Sequence, residues 1–289
     1  MQSNNKNTLV ESIFNQDYFE KLDKEYNKLN LQDNSHLEKK YHLESLRNHL
    51  SGTYRKLKLE EYLQLMKKKD ERYFGELLCR FRNYDYGEFL SVLSEIMVGW
   101  FIEKILGFSI EIIPKGRNNK ILDFKFNFKN NSVFVEVKAL IPDTFKPIKT
   151  GDGSALGNRW RKIGNAIGTA SKQFSKEGTN VLFIVDYLWL KEPDILQEEV
   201  FDAFFGQTQF TWIATPAGSN NDIFITRNTK SAKIRKDQNT RLSAVVKLSY
   251  DFNPENNFEC SVLHNPFAVK TLSNEIFKSF EQYYPKTNH

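Results

Sequence analysis

The sequence is poor in the residues that build several common kinds of site. It has 2 Cys in 289 residues, Cys79 and Cys260, far apart and without metal-like spacing. They support neither a disulfide framework nor a Cys-based zinc site, and a reducing, cytoplasmic compartment is the expectation. Histidine is scarce too: the 5 His are His36, His42, His49, His264 and His289, with no HExxH among them. A zinc hydrolase is therefore disfavoured. His42 and His49 stand one heptad apart and share a helix face only loosely, and His264, two residues before Pro266, reads as part of a strand-end turn. There is no GxSxG elbow and no GxxxxGK[ST] loop, which speaks against a serine hydrolase and a P-loop nucleotide site. No apolar run approaches the roughly 20 residues that span a bilayer. The opening MQSNNKNTLVESIF lacks the basic-then-apolar pattern of a secretory signal. No internal repeat or low-complexity tract is visible.

What the chain does have is apolar bulk. Hydrophobic residues make up 40% of it, with 24 Phe, which is enough for a real core. The length fits one large domain, or a domain with a helical extension. The net charge of +5 permits a phosphate-rich partner without demanding one. Its distribution says more. Residues 226–241, TRNTKSAKIRKDQNTR, hold six Lys/Arg against the single acid Asp237, as much excess charge as the whole chain. Arg235 and Lys236 within it are candidate phosphate contacts, with a plain solvated loop as the competing reading.

Residues 1–85 are polar and free of strand signals, with helical spacing in 36–50 and 56–69. The texture changes near Gly87. An apolar helix over 88–106 is stopped by Gly107, and strands follow at 109–114, 121–128 and 132–140. A glycine-containing loop, 141–157, leads to a helix over 158–177 with Ile163, Ile167, Ala170 and Phe174 on one stripe. The run 181–187 reads as a strand buried on both faces. Further elements are expected at 193–205 and 272–283 (helices) and at 222–227, 241–249 and 257–263 (strands). This order predicts an α/β sandwich around a mixed sheet.

The strands 121–128 and 132–140 carry the chemistry. With Asn130-Asn131 as the hairpin turn, Phe124 faces Val137 and Asp123 faces Lys138. Alternation then puts Leu122, Phe124, Phe126 and Phe128 with Val133, Val135, Val137 and Ala139 on one apolar face. The other face carries Asp123, Lys125, Asn127, Phe134, Glu136 and Lys138. A one-residue slip would bury the wrong set. Two carboxylates on neighbouring strands offer hard oxygen ligands to a divalent cation, and a lysine beside them holds or deprotonates an attacking water. The plainer reading of such a face is the solvent side of an amphipathic hairpin.

The surrounding order of elements adds to this. Glu95 within LSEIMVGW, Asp123 within ILDF, and Glu136 and Lys138 within VEVKAL, followed by a helix and a buried strand, resemble the PD-(D/E)XK nuclease superfamily over about residues 86–190. Leu122 stands where many members have Pro before the Asp. The resemblance implies a restriction-endonuclease-like fold, a mixed sheet flanked by helices, over 86–289. Residues 1–85 would be a helical N-terminal extension for dimerisation or substrate selection. It further implies that Asp123 and Glu136 bind Mg²⁺ (with Mn²⁺ able to substitute), that Glu95 is the helix carboxylate of the metal set, and that Lys138 serves the nucleophilic water. Gln173 matches the polar residue that the following helix often contributes. Small Ser91 and Gly99 would let the Glu95 helix approach the sheet, and Glu103 is a poorer candidate than Glu95.

Arg159, Arg161 and Lys162 open the helix at 158–177, where cations oppose the helix dipole and so suit an external phosphate. The expected activity is metal-dependent phosphodiester hydrolysis, as a DNA endonuclease on double-stranded DNA in restriction or phage defence, with a homodimer as a possible assembly. Two other classes stay open: a non-catalytic nucleic-acid-binding module on the same fold, and an RNA-directed nuclease. No RNA-recognition motif or zinc finger favours the latter.

Overall fold

The computed structural model describes residues 8–29, 37–51, 53–112, 122–141, 159–186, 207–212, 223–228, 232–249 and 259–281. Among the described residues five helices come first: α1 (Leu9–Ile13), α2 (Gln16–Asn27), α3 (Leu37–Ser51), α4 (Thr53–Lys69) and α5 (Glu71–Phe81). Thr8, Asn15 and Asp70 start three of them by accepting orphan backbone N–H groups. Thr8 and Glu11 form a capping box on α1, and Asp70 accepts from the Tyr73 N–H at 2.9 Å at the start of α5.

Asp85 caps α6 (Tyr86–Trp100) in the same way, accepting from the Glu88 N–H at 2.8 Å. One π-helical turn, Phe101–Ile105, extends α6, and Gly107 ends it at φ +76°, where a side chain would be strained. The predicted helix 88–106 is therefore present, with a widened last turn. Glu103 ties that turn down by taking Lys69 Nζ at 2.5 Å and the Ile110 N–H at 3.2 Å, so it has a structural task.

The strands are β1 (Ile110–Ile112), β2 (Phe124–Phe128), β3 (Asn131–Leu140), β4 (Thr179–Asp186), β5 (Gln207–Trp212), β6 (Ile223–Asn228), β7 (Ala244–Ser249) and β8 (Glu259–His264). Six of them form the main sheet in the order β1-β2-β3-β4-β7-β8. The central trio β3-β4-β7 is parallel and the two edges are antiparallel. β5 and β6 form a separate antiparallel pair. Helix α7 (Arg159–Gln173) follows β3, and α8 (Asn274–Glu281) follows β8. The predicted helix at 193–205 and the loop 142–157 lie outside the described residues.

Each sheet face has its own core. Phe124, Phe126, Val133, Val135, Val137, Val181, Phe183, Val185 and Val246 pack under α1–α6 and α8 in one continuous cluster. Leu140, Leu182, Ile184 and Val245 pack under the α7 stripe of Ile163, Ile167, Ala170 and Phe174, joined by Ile234 and Leu242. The chain is thus a mixed α/β fold with helices on both sides of the sheet. No helix among the described residues is long and apolar enough to cross a membrane.

The hairpin differs from expectation in two ways. Phe124 pairs with Val135, Lys125 with Phe134 and Phe128 with Asn131, so the turn is Lys129-Asn130 and the register is two residues from the predicted one. Lys129, at φ +52°, carries the left-handed position expected of an Asn. A two-residue shift keeps every side chain on its face, so the layers survive the change. The second difference is at Asp123. Its N–H bonds the Val135 carbonyl at 3.2 Å although Val135 is already the partner of Phe124. Two residues against one is the arrangement of a β-bulge, which breaks the alternation. Leu122 accordingly packs in the α7-side cluster, not beside Phe124.

Gly99 is where α6 crosses the sheet. A Cβ there would stand 2.5 Å from Met66 Cε, 3.0 Å from Phe124 Cζ and 3.2 Å from Ile110 Cδ1. The flexible Met66 methyl has room to yield, but the packed ring and isoleucine have much less. Gly99→Val is expected to lower stability by about 1–3 kcal/mol through overpacking, read from urea unfolding. A neutral or stabilising result would mean that the helix can lift without cost.

Candidate active site

Glu136 and Lys138 lie on β3 on the face that α7 covers, and Asp123 enters from the bulge before β2. Asp123 Oδ2 accepts the Val137 N–H at 2.6 Å, which fixes that carboxylate against the β3 backbone. Lys138 Nζ donates to Glu136 Oε1 at 2.5 Å. Glu136 is 3% exposed, and its second oxygen, Oε2, has no hydrogen-bond partner. Gln173, at the end of α7, stands beside Glu136, and its own Oε1 is buried without a partner. The polar edge of the apolar stripe therefore points into the site.

The remaining residues of this hairpin face separate from the trio. Lys125 pairs with Glu111 across β1–β2 at 2.9 Å, and Ser132 Oγ donates to Asn127 Oδ1 at 2.9 Å. These are the ordinary cross-strand pairs of a solvated face.

Electrostatics distinguish the trio from such pairs. Burial pushes the Asp123 carboxyl well above the usual carboxylate range, and the charges of Glu136 and Glu95 push it further, against the Val137 N–H and Lys138. Burial also raises Glu136, with Lys138 and Gln173 opposing. Burial works against the charge on Lys138, but Glu136, Asp123 and Glu95 outweigh it and its pKa is raised. Lys138 thus keeps its proton here. It is suited to donating a hydrogen bond and poorly suited to removing a proton from water.

Glu95 reaches this group from α6, yet both its oxygens are engaged. Arg80 Nη1 donates to Oε2 at 2.8 Å and Nη2 to Oε1 at 2.7 Å, and the Tyr73 hydroxyl donates to Oε2 at 3.2 Å. Burial and the nearby carboxylates Glu95 and Asp123 raise the Tyr73 phenol, so it remains a donor. Arg80 and Tyr73 were not expected from the motif. Seven residues apart on one helix, they share the face that buries Phe74, Leu77 and Phe81, and that spacing was the available signal.

The donor set bears on a metal. Among the described residues no group of three or more His, Cys, Asp or Glu converges on one metal position. Two carboxylates do suffice for Mg²⁺, which keeps several waters and takes further oxygens from substrate phosphates. A buried carboxylate oxygen without a donor, and two acidic groups raised partly by each other or by Glu95, are what a cation between them would relieve. The residues fit such an ion through Asp123 and Glu136, with Glu95 outside the free set.

The basic candidates are placed as follows. Arg159 and Arg161 lie in the first turn of α7. Lys162 Nζ donates to the Ile141 carbonyl at 2.6 Å, tying α7 to the end of β3. Arg235 and Lys236 form a tight turn closed by an Arg235–Gln238 bridge, with Lys236 exposed and Arg235 Nε donating to the Ala232 carbonyl at 3.2 Å. The turn sits against α7, where the Lys233 stem passes 2.9 Å from a Cβ built on Gly164. His49 is buried edge-on to Phe89 at 5.1 Å between ring centroids, a packing role. His264 closes β8, and burial lowers its pKa.

No family model, curated protein or solved structure matches this chain.

Proposed function

We propose that this chain is a Mg²⁺-dependent nuclease of restriction-endonuclease-like architecture, hydrolysing phosphodiester bonds in double-stranded DNA. The observation that carries the reading is the half-buried Asp123 beside the buried Glu136, with an unpartnered oxygen on Glu136 and more negative charge nearby than Lys138 offsets. A solvated hairpin face has no reason to bury Glu136 beside a second carboxylate. A module that only bound nucleic acid would gain nothing from it, because carboxylates repel phosphates unless a cation intervenes.

Asp123 and Glu136 would hold the ion, which supplies charge neutralisation at the scissile phosphate and a more acidic bound water. Asp123 is pre-set for this by the Val137 N–H. Lys138, protonated, would hold the attacking water or donate to a phosphoryl oxygen as charge builds there. Gln173 would orient Glu136 from α7. A place in restriction or phage defence follows from the superfamily resemblance and is part of the proposal.

The test is incubation of the purified chain with supercoiled plasmid, linear duplex and tRNA, with Mg²⁺ or with EDTA. Nicking or linearisation of DNA with Mg²⁺, abolished by EDTA, is the expected result. Cleavage of tRNA alone would move the substrate to RNA. Binding without cleavage of any substrate would reject the enzyme in favour of a binding module.

The turn beside α7 gives a separate prediction. If Arg235 and Lys236 meet phosphates, changing both to Ala should reduce the slope of log K against log salt by about 2, near 0.9 for each phosphate left unneutralised. Binding to a labelled duplex between about 50 and 200 mM salt measures it. An unchanged slope would remove this turn from the DNA path.

A further inference from the structure

Arg80 is the best-bonded cation near the site. Its guanidinium forks onto both oxygens of Glu95 at 2.7 and 2.8 Å, and its Nε donates to Glu88 Oε1 at 2.5 Å. The Glu95 side chain is 10% exposed and that of Arg80 is 40% exposed, so the pair closes the α5–α6 side of the site towards solvent. A planar two-point contact of this kind is among the strongest that a carboxylate makes, and lysine cannot reproduce it. The Tyr73 hydroxyl adds a third donor on Oε2. Three donors thus occupy Glu95, two on Oε2 and one on Oε1, so a metal on either oxygen would compete with the charge-assisted fork. Among the described residues Lys138 is engaged with Glu136 and Arg80 with Glu95, while Asp123 has only a backbone donor.

We infer that Arg80 is a positioning residue that withholds Glu95 from the metal, so that one divalent ion is held by Asp123 and Glu136 while Glu95 acts on it only through space. This rests on the metal-dependent reading above. It departs from the expectation that Glu95 is a ligand, and it makes the α5–α6 clamp the element that sets metal stoichiometry.

Mn²⁺ titration of the full chain, followed by the electron paramagnetic resonance signal of the free ion, tests it without any cleavage assay. The wild type should take one Mn²⁺, and Asp123→Asn should lose it. Glu95→Gln should keep the stoichiometry at one Mn²⁺ and weaken binding only a few-fold, through the loss of its charge near the ion. Arg80→Gln releases a carboxylate beside the ion. It should tighten binding about 10- to 100-fold, the range over which outer-shell partners act, or admit a second Mn²⁺. The double variant Arg80→Gln/Glu95→Gln should return to wild-type behaviour.

A Glu95→Gln variant that binds 10-fold or more weakly would make Glu95 a ligand and overturn the inference. So would an Arg80→Gln variant that binds equally or more weakly. If Arg80→Gln does not fold, Arg80→Lys, which keeps the charge and loses the fork, should still tighten binding, and failure to do so overturns the inference. Wild-type protein that binds no Mn²⁺, together with variants that bind none, would reject the metal site itself and this role with it. Binding that persists in Asp123→Asn would overturn the inference, since the ion would then not rest on Asp123.

Discussion

Asp123→Asn and Glu136→Gln are each expected to lower DNA cleavage by about 10³-fold or more, and Asp123→Asn is expected to make the metal-free protein more stable at neutral pH. The two effects share one cause. Asp123 sits where burial, Glu136 and Glu95 all oppose its charge, so its folded pKa lies well above the unfolded value of about 3.9. A carboxyl group raised on folding contributes its full stability below the unfolded pKa and loses it as pH rises through the folded pKa. The wild type is therefore penalised at neutral pH, and the neutral amide is not. Asn also keeps an oxygen to accept the Val137 N–H.

Thermal unfolding in EDTA between about pH 4 and pH 8 should show Asp123→Asn ahead at the upper end. A gain of roughly 2–4 °C corresponds to ~1 kcal/mol in a chain of this size, and the lead should shrink towards pH 4. Added Mg²⁺ should stabilise the wild type and leave the variant unmoved. A variant that is less stable at pH 8, or that still cleaves, would sink the claim that this pair is held for a cation.

The layers of this site were legible because they depend on a period of two. Alternating Phe and Val on β2 and β3 forces Glu136 and Lys138 to the opposite face, whatever the turn. The same property hides the register. A shift of two residues leaves every face intact, so the hydrophobic pattern could not separate an Asn130-Asn131 turn from the observed Lys129-Asn130 turn. Turn chemistry had to decide, and Lys129 adopts the positive φ that Asn was expected to take. The bulge at Asp123 was equally silent, since Leu122 is apolar enough to belong to either core. The α7 stripe predicted its buried residues, and Gln173 at its edge lies beside Glu136. The Arg80–Tyr73 clamp was missed for a different reason. It comes from a helix outside the motif, and only tertiary packing brings α5 against α6 at Glu95.

Phe124→Ala should be the most destabilising single change near the site, at about 3–5 kcal/mol, out of a typical total of 5–15 kcal/mol. Phe124 is fully buried, pairs with Ile112 and Val135 in the sheet, and its ring packs against α6 at Gly99. Deleting the ring opens a cavity under a glycine, which has no side chain to fill it. The flexible Met66 methyl already stands beside that glycine. Phe124 is also the residue after Asp123, so the bulge that aims the Asp123 carboxylate at β3 is anchored by this ring on one side and by the Val137 N–H on the other. Mn²⁺ affinity should therefore fall along with stability. Phe124→Leu refills most of the volume and should recover all but about 1 kcal/mol, with Mn²⁺ binding restored. Urea unfolding and Mn²⁺ titration on the same samples separate the two effects. If Phe124→Ala costs much but binds Mn²⁺ as tightly as wild type, the bulge holds Asp123 without its anchor. If the variant costs less than about 1 kcal/mol, α6 is not seated on this ring, and Glu95 reaches the site by some other support.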